Sequence, residues 1–226
     1  MKKNKNISFI NWVGVYTLFT KETKRFCKVY QQTVLAPAFT SLLFFLVISI
    51  AIGSRVNYEF NYINFLAPGL IIMTMMQNAF ANTSSSILGS KMQGNIVDLL
   101  YAPLSPTEVT TSIILAAVTR AIVIGFVSTL VFLFIVDLPI KNIGYILYAA
   151  FFGSFFIGSI GFITGLWATK FDHTATITNF IIQPLSFLSG VFYTIDKLPS
   201  VFQAISQINP FFHIINIFRY GFLGTS

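Results

Sequence analysis

The chain has 226 residues, 55% of them hydrophobic and only 9% charged, with a net charge of +7. Soluble domains carry about a quarter charged residues, and no soluble core of this length could hide so much apolar surface. The composition excludes an ordinary soluble protein and predicts an integral membrane one. A positive balance in a soluble chain would favour nucleic acid. Here the basic residues gather beside the first apolar run, so membrane topology accounts for them and nucleic acid is not an expected partner. The single cysteine, Cys27, excludes an internal disulfide framework and a cysteine metal site. About thirty mostly polar or amphipathic residues precede the first apolar run, so no cleavable signal peptide is evident.

In chain order, the first predicted element is a helix over residues 11–30. At about 100° per residue, Trp12, Tyr16, Phe19, Phe26 and Tyr30 fall within a narrow arc, and Lys21, Lys24, Arg25 and Lys28 lie opposite. That pattern reads as an interfacial helix with its rings in the acyl boundary and its cations near anionic headgroups, which makes membrane lipid a partner. Apolar runs of spanning length follow at 33–53, 62–88, 113–136, 143–168 and 177–192. Pro68 and Pro184 fall within the second and fifth and are expected to kink rather than end them.

Orientation follows from the basic residues in alternate loops. With the N-terminus inside, the cytoplasmic side collects Lys2, Lys3, Lys5, Lys21, Lys24, Arg25, Lys28, Lys91, Arg120 and Lys170. The outer side keeps Arg55, Lys141, Lys197 and Arg219. The bias predicts a multi-pass membrane protein with a cytoplasmic N-terminus.

Between the second and third spans lies NIVDLLYAPLSPTEV, residues 95–109. Ser105, Pro106 and Glu108 form a capping box with proline at the first helical position, so a helix should start sharply there. Ahead of it, Val97, Leu99, Leu100 and Leu104, with Pro103, offer apolar side chains in an aqueous loop. A connector has no need of them, whereas a knob docking into a partner's groove does. Arg120, the one basic residue within a span, reads as an interface anchor that snorkels to the inner surface.

Neutral polar residues in the spans are sorted by face. Asn78, Asn82, Ser85, Ser86 and Gly89 make one stripe in the second span; Thr176, Asn179, Gln183, Ser186 and Gly190 make another in the fifth. Each stripe serves either interhelical hydrogen bonding or a weakly polar lining for an amphipathic cargo. In the fourth span Ala150, Ser154, Gly158, Gly161 and Gly165 form a small-residue groove for close helix packing. In the tail, Pro199 opens a short helix striped by Val201, Ile205 and Ile208, and Asn209-Pro210 stops it. A second apolar stretch, 211–222, is too short to span, so two re-entrant helices dipping into the outer leaflet are expected.

Enzyme machinery is absent from the pattern. His173 and His213 stand about forty residues apart on opposite predicted sides, the seven acids form no general-acid pair, and no phosphate loop occurs. No metal site and no directly bound cofactor are expected. If ATP drives this protein, another chain binds it.

DLLYAPLSPTEV followed by SIILAAVTRA resembles the cytoplasmic coupling region of type-2 ABC transporter permeases. SGVFYTIDKLPSVFQAISQINPFFHIINIFRYG resembles the outer signature of the same family, carried here by Ser189, Gly190, Leu198, Pro199, Asn209, Pro210, Arg219, Tyr220 and Gly221. Bacterial drug-resistance and nodulation-factor exporter permeases are similar to it over nearly the whole chain. The resemblance implies an all-α polytopic helical bundle with an N-terminal interfacial helix, a cytoplasmic coupling helix and outer re-entrant helices. It implies six spans, of which five are expected here and the sixth is missing. Residues 1–226 would form one transmembrane domain: a cytoplasmic interfacial segment at 1–32, a five-span bundle at 33–192 and an outer re-entrant segment at 193–226. It also implies a second permease subunit, as a homodimer, and a cytoplasmic ABC ATPase subunit that holds ATP and Mg. On that reading the chain is the permease of a bacterial inner-membrane exporter for an amphipathic or lipid-like cargo of the drug, glycolipid or polysaccharide class. An ion-coupled secondary carrier and a non-transporting membrane scaffold are the alternatives.

Overall fold

The computed structural model describes residues 10–52, 62–194 and 198–224. Lys2, Lys3, Lys5, Arg55 and Lys197, counted in the basic bias, lie outside the described residues. Every regular element among those described is helical. Among the described residues four helices are long and apolar enough to cross a membrane.

The helix α1 (Trp12–Cys27) is capped by Asn11, whose Oδ1 accepts the Gly14 N–H at 3.1 Å. A π turn at Gln31–Leu35 leads into α2 (Ala36–Ile52). The Thr33 hydroxyl donates to the Phe26 carbonyl at 2.8 Å and holds this bend. The expected ring face of α1 divides: Trp12, Tyr16 and Tyr30 are exposed, Phe19 is half-buried, and Phe26 is buried against Val34 and Ile124. Leu18, Glu22 and Phe26 recur every four residues and form the face that packs on the bundle.

The centre of the bundle is α3 (Tyr62–Met92), whose 31 residues extend about 46 Å at 1.5 Å per residue. Leu66 through Met76 are buried on all sides, as befits a helix surrounded by others. Pro68, near its start, does not interrupt it. A short helix, α4 (Ile96–Tyr101), follows the left-handed turn at Gly94, and then comes α5 (Pro106–Leu133).

The closest packing is that of α6 (Ile143–Trp167) on α3, through the predicted small-residue groove. A Cβ at Gly161 would stand 2.5 Å from the Phe80 carbonyl oxygen, and one at Gly165 2.9 Å from that of Ser84. The Thr83 hydroxyl donates to the Gly158 carbonyl at 2.8 Å across the same seam. Gly161→Ala is therefore expected to push the two helices apart and cost about 1–3 kcal/mol. Gly144→Ala, where a Cβ meets nothing within 4 Å, is the matched control. Thermal unfolding of the detergent-solubilised protein should separate the two, and equal melting temperatures would contradict this packing.

The fifth apolar run differs from expectation. Helix extends from 171 to 187 as α7 (Phe171–Ile177), a π turn at Thr178–Ile182 and α8 (Gln183–Phe187), rather than over 177–192. Pro184 cannot donate to the turn before it, and the π turn sits where that bond would fall. Gly190, at φ 70°, reverses the chain. The tail contains α9 (Ser200–Ile208) and α10 (Pro210–Leu223). The stripe of α9 is exposed at Val201, Ile205 and Ile208, whereas α10 buries Phe211, Ile215, Phe218 and Phe222 in the main core.

Candidate functional site

The segment 95–109 is built on one carboxylate. Glu108 Oε2 accepts the Ser105 N–H at 2.7 Å, and the Ser105 hydroxyl accepts the Glu108 N–H at 3.3 Å, closing the predicted capping box. The other oxygen, Oε1, accepts the Asn11 N–H at 2.5 Å, and Asn11 Nδ2 donates to the Pro103 carbonyl at 3.0 Å. One side chain thus ties the starts of α1 and α5 together, where orphan N–H groups and the helix dipoles favour an anion. Asn11 is a residue missed by the sequence reading; its only signal there is a residue type that favours an N-cap.

The apolar side chains of this segment do not all point outward. Leu99 and Leu104 are half-buried against a cluster of Leu18, Ile87, Ile113 and Phe162, and Leu104 lies against Gly14. This corrects the expectation that both form the knob. The exposed side chains are Val97, Leu100 and Tyr101, with Leu100 77% exposed. Pro103, Ser105 and Pro106 are exposed around them. The arrangement is an apolar tip on a short helix that leads into the Glu108 clamp between α1 and α5.

Above the clamp, the second-span stripe gathers cations. Arg120 donates to Asn78 Oδ1 at 3.0 Å and to Asn82 Oδ1 at 3.3 Å, so it faces the bundle and does not snorkel as expected. Arg25 Nη2 also reaches Asn82 Oδ1, at 3.1 Å, and pairs through Nε with Glu22 at 3.3 Å. Its guanidinium therefore turns to the bundle rather than away from it as expected, although the side chain remains 39% exposed. Glu22, buried, takes the Ser86 hydroxyl at 2.7 Å. Ser85 is exposed on the other side. Glu22 had a sequence signal: an acid midway between Leu18 and Phe26 on the inward face needs a buried partner.

The fifth-span stripe splits. Thr176, Asn179 and Gln183 are exposed beside Phe180, while Ser186 is buried and donates to the Ile182 carbonyl at 2.6 Å. The three exposed residues lie on the surface of the bundle, and Ser186 is packing.

The outer signature is one connected structure. Ser189 donates to the Ser186 carbonyl, and the Gly190 carbonyl accepts Arg219 Nη2 at 3.1 Å. Arg219 is buried, also donates to the Phe65 carbonyl at 3.2 Å, and stacks 3.6 Å over the Phe65 ring. Leu198 accepts from Gln203 at 2.8 Å as Pro199 opens α9. Asn209 caps α10 ahead of Pro210 and donates to the Leu185 carbonyl at 2.6 Å, anchoring the tail to α8. Tyr220 meets Tyr145 edge-on, and the Gly221 carbonyl accepts the Lys141 and Asn142 N–H groups. A Cβ at Gly221 would stand 2.5 Å from Ile146, so glycine is required there.

Among the described residues no three His, Cys, Asp or Glu side chains converge as a metal site. His213 Nε2 donates to the Gln207 carbonyl, and His173 stacks on Trp167, far apart in the chain.

Comparison with known proteins accords with this architecture. The ABC-2 type transporter family matches residues 14–223. The inner membrane transport permease YadH of Escherichia coli K12 is 34% identical over 217 residues, covering 95% of this chain and 85% of YadH. Nodulation protein J of Rhizobium leguminosarum bv. viciae is 27% identical over 177 residues, covering 73% of this chain and 64% of that protein. The capsule polysaccharide export inner-membrane protein BexB of Haemophilus influenzae is 28% identical over 171 residues, covering 74% and 61% respectively. A matched family over nearly the whole length, on a polytopic helical bundle, identifies the chain as a member of the ABC-2 type transporter family, a membrane permease.

Proposed function

We propose that this permease is the membrane half of an exporter that carries an amphipathic or lipid-like cargo outward, driven by a separate cytoplasmic ATPase. In this family the ATPase resides in a separate protein. The observation that carries the reading is the tip of α4. Val97, Leu100 and Tyr101 are exposed on a helix that packs through Leu99 on the Leu18 cluster and leads, a few residues on, into the Glu108 clamp between α1 and α5. Displacement of such a tip moves two helices at once, as a lever from ATPase to bundle must. The N-terminus is cytoplasmic on this reading, the working unit contains a second copy of the permease, and ATP with Mg stays in the ATPase. The outward direction accords with BexB, whose name records capsule polysaccharide export.

Inverted inner-membrane vesicles holding permease and ATPase together test it. A fluorescent lipid-like amphiphile should accumulate in the lumen only when ATP is supplied. In the same vesicles a cysteine at Asn95, placed in a Cys27→Ser background, should react with an impermeant maleimide. A cysteine at Val201 should not. Accumulation that follows a proton gradient without ATP would replace this reading with an ion-coupled carrier, and reversed labelling would overturn the orientation.

A further inference from the structure

Between the π turn and α2 on one side and α3 on the other lies an open cleft of about 320 Å³. Its lining changes character along its length. Gln32 on the π turn and Gln77 and Asn78 on α3 make one end polar, while Phe44 and Leu70 lie towards the other. A π turn inside a helix often marks a working site, and here it supplies Gln32.

The polar end has a cation directly behind its wall. Asn78 holds Arg120 at 3.0 Å, and Arg120 shares Asn82 with Arg25. Glu22 is already engaged by Arg25 and Ser86, and among the described residues no acid pairs with Arg120. Two guanidiniums therefore share one amide oxygen, and only Arg25 has a carboxylate. The buried groups left without a partner here are Arg120 Nε and Asn82 Nδ2. Both are donors, and Asn82 is 1% exposed, with its oxygen committed to the two arginines. Neither residue lines the cleft, but a buried cation with no acid paired to it, directly behind the Asn78 wall of a bundle set in lipid, favours an anion at the polar end.

We propose that this cleft is a binding site for an acidic amphiphile. A phosphate-type headgroup would lodge at Gln32 and Gln77 beside Asn78, under the field of Arg120, with its chain along Phe44 and Leu70. The inference rests on reading the permease as a carrier of lipid-like cargo, and it names the cargo class: single-chain or chain-anchored amphiphiles with an anionic head rather than neutral ones.

The test is binding to the purified permease in neutral detergent, without ATPase. Fluorescent lysophosphatidate should bind at least tenfold more tightly than the matched lysophosphatidylcholine, which carries the same chain. Thr40→Trp, which fills the cleft from an exposed position on α2, should weaken both. Asn78→Asp supplies Arg120 with a resident carboxylate and should erase the preference for the acidic head. If Asn78→Asp fails to fold, Gln77→Glu places the same charge on the same wall without touching the Arg120 bond. Equal affinity for the two lipids, or a preference that survives these charge substitutions, would overturn the proposal. Full displacement by millimolar inorganic phosphate would also overturn it, because the chain would then contribute nothing. Because no ATP is involved, failure of ATP-driven transport leaves this result standing, and failure of binding leaves the export reading standing.

Discussion

Glu108→Ala is expected to lower the melting temperature of the detergent-solubilised permease and to uncouple it from its ATPase. A capping box alone predicts a loss of about 1 kcal/mol. The structure raises that figure, because the same carboxylate also accepts the Asn11 N–H at 2.5 Å. Removing it strands the N–H groups of Asn11 and Ser105 together, each at about 1 kcal/mol or more for a partly shielded donor. The combined effect is about 2–3 kcal/mol, which in a chain of this size lowers the melting temperature by roughly 5–10 °C. Glu108→Gln keeps one good acceptor and should fall between. Asn11→Ala removes the side-chain bonds to Gly14 and Pro103 but leaves its N–H on Glu108, so it should be milder than Glu108→Ala. A Glu108→Ala protein that melts with the wild type would show that α1 and α5 are not held by this group.

The spans were legible because lipid imposes a length, and an apolar run either reaches it or does not. The capping box was legible because it is local: Ser105 and Glu108 are three residues apart and bond each other wherever a helix starts. What the sequence concealed was direction across the bundle. In a span read as 113–136 Arg120 lies near enough to one end to snorkel, and only the presence of Asn78 and Asn82 opposite turns it into the bundle. Leu99 and Leu100 are neighbours of identical chemistry, yet one packs on the Leu18 cluster and the other stands free. Their roles are set by the α1 surface, which arrives from about eighty residues earlier in the chain. The fifth run was misplaced because a π turn adds a residue to a turn without a compositional mark, and Pro184 masked the true helix behind an apparent kink. The outer signature was readable as a string, but its meaning as a knot around Arg219 depends on Phe65, which lies 154 residues away.

The sharpest test of the lever is Leu100→Asp. Leu100 is 77% exposed on α4 and makes no contribution to the Leu18 cluster, so the substitution should leave folding alone. Leu104→Asp should not, because Leu104 packs against Gly14 and its cluster, and it serves as the contrasting variant. A charge forced into an apolar docking contact costs several kcal/mol, or about a hundredfold or more in affinity. The measurement is co-purification of the ATPase with the tagged permease at matched membrane levels, with the melting temperature recorded alongside. Leu100→Asp should retain the wild-type melting temperature and lose the ATPase; wild-type capture by Leu100→Asp would show that α4 is not where the ATPase takes hold.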